Sequence, residues 1–250
     1  MVFEEPQSES VFTGSTPHDP SSPGLSDSAM TEDVALALLK ERNLPAENIE
    51  QIAANTGVMK SRKVRFVLAA HPGAPRRIVL RLIRELYPFD LMKFSLTPAV
   101  AADLKRVADE LLVARLASVT LGERIALARR ASAMVAAALL VDREPRVWQT
   151  ALENPRLGEA AIVKALLRPN SSPALVKAIS HHAKWSLRPE IRMALLRNEN
   201  TPLARALEFA SRVPPAQLRD ILHASRLPET TKAYLRKELE SYRRSGQART

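Results

Sequence analysis

The chain has 250 residues, of which 46% are hydrophobic, 26% are charged and only 4% are aromatic. It contains no cysteine, which excludes disulfides, thiolate metal sites and a thiol nucleophile. The formal net charge of +10 indicates attraction to acidic or phosphate-bearing surfaces. With so few aromatic side chains the core must be aliphatic, which favours closely packed short helices over a β-sandwich or a barrel.

Residues 1–29 are rich in serine, proline and acidic residues and contain no lysine or arginine. Such a composition buries too little apolar surface to offset the entropy of ordering, so we predict a disordered acidic tail. The tail holds five of the 27 acidic residues. Residues 30–250 therefore carry 37 basic against 27 − 5 = 22 acidic residues, a net charge of +15. The tail is either a simple extension or a screen for this basic body.

The sequence also bears on membrane association. The first residues lack the basic start and the apolar stretch of a signal peptide. The longest apolar run, residues 133–141, has nine residues, against the roughly 20 that a bilayer-spanning helix needs. We therefore expect a cytoplasmic protein that does not enter a membrane.

A helical domain is predicted over residues 30–242, and residues 243–250 are expected to fray. Its parts are, in chain order, an N-terminal cap of two helices (30–58), irregular repeats (59–141), regular repeats (142–226) and a C-terminal capping helix (227–242).

The irregular part contains three segments with different patterns. Residues 87–94 concentrate aromatic side chains and are predicted to be a connector that packs back as a plug. Residues 98–118 predict one long amphipathic helix, and residues 121–140 predict a helix or a broken pair of helices. Asp109 and Glu110 in the long helix are interpreted as part of a solvated face.

The regular part contains an internal repeat. Residues 145–154 and 189–198 align at an offset of 44 residues, so that their prolines, β-branched residues and asparagines coincide. A third copy lies at residues 62–71, where His71 stands in the place of Asn154 and Asn198. We predict that the apolar positions of the three copies are buried equivalents. These positions are Val64, Leu68, Val147, Ala151, Ile191 and Leu195.

Start signals mark the helices. Proline suits the first helical position because its missing N–H has no partner there. Thr97, Ser172 and Thr201 each precede a proline and are predicted to cap the following helix with a hydroxyl. Thr120 and Glu123 have the spacing of a capping box. Helices of about ten residues are marginal alone, so each must bury its apolar stripe against a neighbour.

These patterns predict an all-α fold, a right-handed α-solenoid (superhelix) of short HEAT-like helix pairs. The turns at Asn154-Pro155 and Asn200-Thr201-Pro202, and the stretch PLARALEFA that follows, resemble the leucine-rich repeat variant and the broader HEAT-like families of bacterial α-solenoids. The resemblance covers residues 60–225. Some leucine-rich repeat variant proteins carry an iron–sulfur cluster on a cysteine-rich segment, and that property does not transfer to a chain without cysteine.

The sequence contains no recognisable enzyme signature, and we predict a protein without catalytic residues, metal or cofactor. His181 and His182 are adjacent, whereas two ligands on one helical face stand three or four residues apart. One enzymatic alternative comes from the HEAT-like DNA glycosylases, which use Trp and Asp residues on a basic concave surface. Trp148, Trp185 and Asp142 would supply these residue types, although burial as anchors is the default for the two tryptophans.

The basic residues are the main functional signal. Arg77, Arg81 and Arg84 stand at i, i+4 and i+7 and therefore share one helix face. Together with other cations they are predicted to form a discontinuous basic band. The predicted band consists of Lys63, Arg65, Arg77, Arg81, Arg84, Lys164, Lys177, Arg192 and Arg205.

Two functions of different classes are consistent with such a band. The first is a non-enzymatic scaffold or adaptor that presents a curved helical surface to a protein partner. The alternative is sequence-independent binding of nucleic acid by a basic groove.

Overall fold

The computed structural model describes residues 30–247, and every regular element in that range is a helix. The all-α prediction is therefore confirmed for this part of the chain, where no strand occurs. The predicted acidic tail, residues 1–29, lies outside the described residues, as do residues 248–250.

The described range contains fifteen α-helices, most of them seven to ten residues long. In chain order they are α1 (Glu32–Leu38), α2 (Ala46–Ala54), α3 (Arg62–Ala70), α4 (Arg76–Glu85), α5 (Pro88–Leu96), α6 (Ala102–Arg115), α7 (Leu121–Arg130), α8 (Ala133–Leu139), α9 (Pro145–Leu152), α10 (Glu159–Leu166), α11 (Pro173–His181), α12 (Pro189–Arg197), α13 (Leu203–Ala210), α14 (Pro215–His223) and α15 (Glu229–Gln247). Short 3-10 turns occur at Val58–Lys60 and Leu116–Ser118.

Some of the predicted caps form and others do not. The capping box of Thr120 and Glu123 is complete. Thr97 instead ends α5, where its hydroxyl donates to the carbonyl of Lys93, and Thr201 donates to the carbonyl of Leu195. Ser172 makes no side-chain cap. The hydroxyl caps predicted at Thr97, Ser172 and Thr201 are therefore wrong. At the two threonines the reason is that the hydroxyl donates to a carbonyl in the last turn of the preceding helix.

The irregular segments also differ from their predicted form. The connector over 87–94 is a helix, α5, with Pro88 in its first turn. It does pack inward, since Leu91 and Phe94 are fully buried. The long helix begins at Ala102 rather than at residue 98. Residues 121–140 form a broken pair, because Ser132 has an extended backbone and caps α8 with its hydroxyl.

The last helix is longer than the capping helix predicted over 227–242. α15 runs from Glu229 to Gln247 and so extends into the segment that is expected to fray. The composition of residues 243–247, which is polar and contains a glycine, hid this continuation because it lacks an apolar period.

Helices pack against the next helix and against the next but one. One series, which we call the even series, runs α4, α6, α8, α10, α12 and α14, each in contact with the one before it. Helices with odd numbers pair in the same way in three runs: α1 with α3 and α5, α7 with α9 and α11, and α13 with α15. Short helices thereby bury their apolar stripes between neighbours.

The six residues predicted as buried equivalents are all completely buried. The repeat that identified them nevertheless spans more than a helix pair. α9 and α12 are three helices apart, so the 44-residue offset links a helix with an odd number to one of the even series. The residue pattern therefore belongs to a single helix with its turn, and it occurs in helices of both kinds.

The asparagines of the repeat join one turn to an earlier one. Asn198 is completely buried, and its amide donates to the carbonyl of Leu166 at the end of α10, 2.6 Å away. Its Oδ1 accepts the backbone N–H of Asn200. Asn154 repeats both contacts, with the carbonyls of Ala128 and Ala131 as acceptors. Each asparagine thus satisfies a helix end two helices back.

His71 fills the same role, as its register in the repeat implies. Its Nδ1 accepts the N–H of Gly73, and its Nε2 lies 2.9 Å from the carbonyl of Glu41. Because a carbonyl oxygen only accepts and a backbone N–H only donates, Nε2 is the donor and Nδ1 the acceptor in these two contacts. His182, which follows α11, makes a related contact. Its Nδ1 accepts the N–H of Lys184, and its Nε2 donates to the side-chain carboxylate of Glu153, 3.0 Å away.

Candidate interaction grooves

The nine predicted basic residues are divided among the helices of both kinds. Those on α4, α10 and α12 belong to the even series, and those on α3, α11 and α13 to helices with odd numbers. Within the described part of the chain, Lys63, Arg84, Lys164 and Lys177 are exposed and have no hydrogen-bond or ion-pair partner. The other five are engaged with carboxylates or backbone carbonyls.

The engaged residues make both kinds of contact. Two approach carboxylates on other helices: Arg77 lies 2.6 Å from Glu50, and Arg65 lies 3.9 Å from Glu85. The rest reach carbonyls. Arg81 donates to Ala53, Arg192 to Leu187 and Arg205 to Ser180, and Arg205 also pairs with Glu208.

Contact of arginine with a helix end recurs along the chain. Several guanidinium groups donate to carbonyls at or just beyond the C-terminal end of a helix that comes earlier in the chain. The pairs are Arg81 with Ala53, Arg115 with Arg84 and Leu86, Arg156 with Arg130, Arg205 with Ser180, and Arg226 with Leu167 and Arg168. A helix C-terminus carries partial negative charge and free carbonyls. Part of the positive charge of the chain therefore has a structural use.

The face of α4 that carries arginines borders a shallow groove against α2. It has a volume of about 350 Å³ and is lined by Glu50, Ala53, Arg77 and Arg81 among others. The Glu50 carboxylate neutralises Arg77. Arg81 donates only to a neutral carbonyl, that of Ala53, so the groove keeps one net positive charge.

A larger groove, which we call the α10 groove, follows α10 to the start of α12. Its volume is about 770 Å³, and its lining residues are Glu159, Ala160, Val163, Lys164, Leu167, Arg168, Pro169 and Glu190. Leu167 is 42% exposed there. Side chains of both charges, two basic and two acidic, stand around an apolar wall.

A third groove, which we call the α3 groove, lies between α1, α3 and α5. It has a volume of about 480 Å³ and is lined by Leu36, Arg62, Lys63, Phe66, Val67, Asp90 and Lys93. Two hydrogen bonds, 2.5 and 3.0 Å long, join Arg62 to the buried Asp90. The hydrogen bond and the charge of Asp90 raise the pKa of the Arg62 guanidinium. With this pair neutral, Lys63 and Lys93 leave the groove positive.

The tryptophans are core anchors, as the default interpretation predicts. Trp148 is 4% and Trp185 2% exposed, and the indole N–H of Trp185 donates to the carbonyl of Leu152. Asp142 pairs with Arg124 at 2.9 Å. The residue types that suggested a DNA glycosylase are therefore engaged in the fold.

Two features of the polar residues escape sequence inspection. The acid partner of His182 is Glu153, 29 positions earlier, which no local spacing shows. Asp109, interpreted as part of a solvated face, is only 8% exposed. Burial raises the pKa of its carboxyl, while hydrogen bonds from Ser132 and Ser95 lower it by less. The solvated-face interpretation of Asp109 is wrong, because α6 packs against both α5 and α8.

Among the side chains that the structure describes, no three His, Asp or Glu residues are grouped to hold a metal ion. No helix within residues 30–247 combines the length and the apolar character needed to cross a membrane. Comparisons of the chain with models of protein families, with curated proteins and with solved structures find no match.

Proposed function

We propose that this protein is a non-enzymatic adaptor of the HEAT-like type, a right-handed α-solenoid that binds a protein partner through the α10 groove. The observation that carries the proposal is the α10 groove itself, an open apolar surface on the regular part of the array. Solenoids present extended surfaces of this kind because each unit contacts only its neighbours.

Packing of the helices supports the solenoid arrangement. Each helix of the even series contacts the following member of that series, without a gap from α4 to α14. A chain of such contacts extends the array in one direction, whereas a globular bundle closes on itself. Buried asparagines between successive turns supply the same linkage in both kinds of helix.

The composition of the α10 groove favours a protein partner. Interfaces between proteins typically combine an apolar centre with a polar rim. Here Val163 and Leu167 form part of the apolar wall, and Lys164 and Arg168 share the rim with Glu159 and Glu190. The two carboxylates would repel a polyanion. A partner protein whose surface carries both charges therefore matches the α10 groove better.

A photocrosslinking amino acid at position 167 tests this proposal in a lysate of the source cells. We expect one predominant crosslinked protein, lost on Val163→Glu and insensitive to nuclease. The matched control carries the crosslinker at Leu203, which has a similar exposure of 39%, and should not capture that protein. Equal capture from both positions, or none from position 167, would sink the proposal.

The net charge of +15 over residues 30–250 supports a second candidate, sequence-independent nucleic-acid binding. Each neutralised phosphate makes the slope of log affinity against log salt steeper by about 0.9. Arg77 is already neutralised by Glu50, whereas Arg81 keeps its charge because its partner, the carbonyl of Ala53, is neutral. The triple substitution of Arg77, Arg81 and Arg84 by Ala should therefore change the slope by about two units. No DNA mobility shift at low salt would exclude this candidate.

A further inference from the structure

The α3 groove has an excess of positive charge that the fold does not use. Among the described residues, neither Lys63 nor Lys93 has a hydrogen-bond or ion-pair partner, and both are exposed. Asp90 is the single acid of the lining and is held by Arg62. Leu36, Phe66 and Val67 are half-buried and form an apolar floor. A ligand that matches this groove brings carboxylates together with an apolar side chain.

The chain itself contains such a segment. Residues 1–29 include five acidic residues and no lysine or arginine. Phe3 is followed directly by Glu4 and Glu5, so an aromatic side chain stands beside two carboxylates. This combination is complementary to an apolar floor flanked by two ammonium groups.

The segment is also attached next to the groove. It joins the described part at Met30, which is buried with 9% exposure, immediately before the N-cap of α1. Leu36 on α1 lines the groove, about 10 Å further along the helix. Phe3 precedes Met30 by 27 residues, a length of chain that can span up to roughly 90 Å. Tethering raises the local concentration of the segment, so a weak site is sufficient.

We infer that the N-terminal acidic segment, residues 1–29, binds in the α3 groove of its own chain, with Phe3 on the apolar floor and Glu4 and Glu5 at Lys63 and Lys93. The α10 groove is lined by other helices, and so the inference does not depend on the proposed adaptor site.

Zero-length carbodiimide crosslinking of the full-length protein tests this directly, because it joins a carboxylate only to an amine in contact with it. Peptide mass spectrometry should find Glu4 or Glu5 joined to Lys63 or Lys93. Lys164 and Lys177 serve as matched controls, since they are exposed lysines without partners in the described part of the chain.

Phe3→Ala should lower the yield roughly tenfold, the factor expected from losing one buried aromatic side chain. Phe12→Ala should leave the yield unchanged.

Several results would overturn the inference. Equal crosslinking to all four lysines would show general attraction to a basic body without a site. Crosslinks between isotope-labelled and unlabelled copies would show that a second molecule occupies the groove. Loss of the crosslink in Phe12→Ala but not in Phe3→Ala would assign the floor to a different aromatic residue. Absence of any crosslink at low salt would remove the basis of the proposal.

Discussion

The regular array from α9 to α14 and the irregular segment from α5 to α8 differ in how they satisfy the free carbonyls at the ends of earlier helices. Arginine contacts occur in both, but the buried asparagine contacts belong to the array. In the array, helices of eight or nine residues alternate with short turns, and buried amides of Asn154 and Asn198 satisfy earlier helix ends. In the irregular segment α6 has 14 residues, and the charged Arg115 contacts the end of α4.

The difference shows how the repeat tolerates variation. A neutral amide that is completely buried can serve a helix end without a desolvation penalty for charge. A guanidinium does so only where solvent still reaches it, as at Arg115, which is half-buried. The regular array is therefore expected to lose more stability per polar substitution than the irregular segment.

The largest effect should come from the core of the regular array. Leu195→Ala removes a completely buried side chain of α12 and should lower the free energy of unfolding by about 2–5 kcal/mol. Urea denaturation followed by circular dichroism measures this loss. The control Leu203→Ala, at a position 39% exposed, should stay within about 0.5 kcal/mol of the parent. Equal losses at the two positions would contradict the assigned core.

Asn198→Ala should follow, with a loss of about 3 kcal/mol. The substitution leaves the carbonyl of Leu166 and the N–H of Asn200 without their partner, and each buried unsatisfied group costs about 1–3 kcal/mol. Asn154→Ala should behave alike, since it has the same contacts. Losses below about 1 kcal/mol in urea titrations of both variants would show that water replaces the amide.

Asp109→Asn should stabilise the irregular segment by about 1 kcal/mol at neutral pH, because it removes the cost of burying a charge. The raised pKa of Asp109 means that the folded state binds the proton more tightly than the unfolded state. Stability from this group is therefore fully present below the ordinary carboxyl pKa and is lost as pH rises through the raised value. The advantage of the variant should grow over that range.

Paired urea titrations of the parent and Asp109→Asn at several pH values measure the difference. Carboxylates with a lowered pKa, such as Asp103 and Glu123, change the stability with pH in the opposite direction. Their contribution is the same in the parent and the variant, so it cancels in the difference. An advantage that stays constant with pH would mean that Asp109 does not titrate as described.

The smallest effect is expected at Arg115. Arg115→Ala removes hydrogen bonds to the carbonyls of Arg84 and Leu86, and should cost about 0.5–1 kcal/mol, as usual for a cation at an accessible helix end. Salt screens such contacts, so the loss should shrink in 0.5 M NaCl, a concentration well above the one at which the Debye length is about 10 Å. The loss in Asn198→Ala should remain. If the loss of stability in Arg115→Ala did not change with salt, the Arg115 contact would be as well shielded from solvent as the contacts of the buried amides.

Local signals were sufficient for the secondary structure and much of the core. Apolar residues at helical spacing and prolines at helix starts identified most of the helices, and the repeat identified six completely buried positions. The alignment of His71 with Asn154 and Asn198 also anticipated a shared place in the turns, because a turn that ends a helix needs a polar side chain at one register.

Tertiary structure decided which polar groups meet. The partner of His182 is Glu153, that of Arg77 is Glu50, and Asp109 becomes buried between α5 and α8. These contacts depend on how helices far apart in sequence stack, and side-chain spacing within one helix carries no such information. For the same reason the sequence could not show that two of the nine basic residues of the predicted discontinuous band, Arg81 and Arg205, contact helix ends. Nor could it show that Lys63 and Lys164 line different grooves.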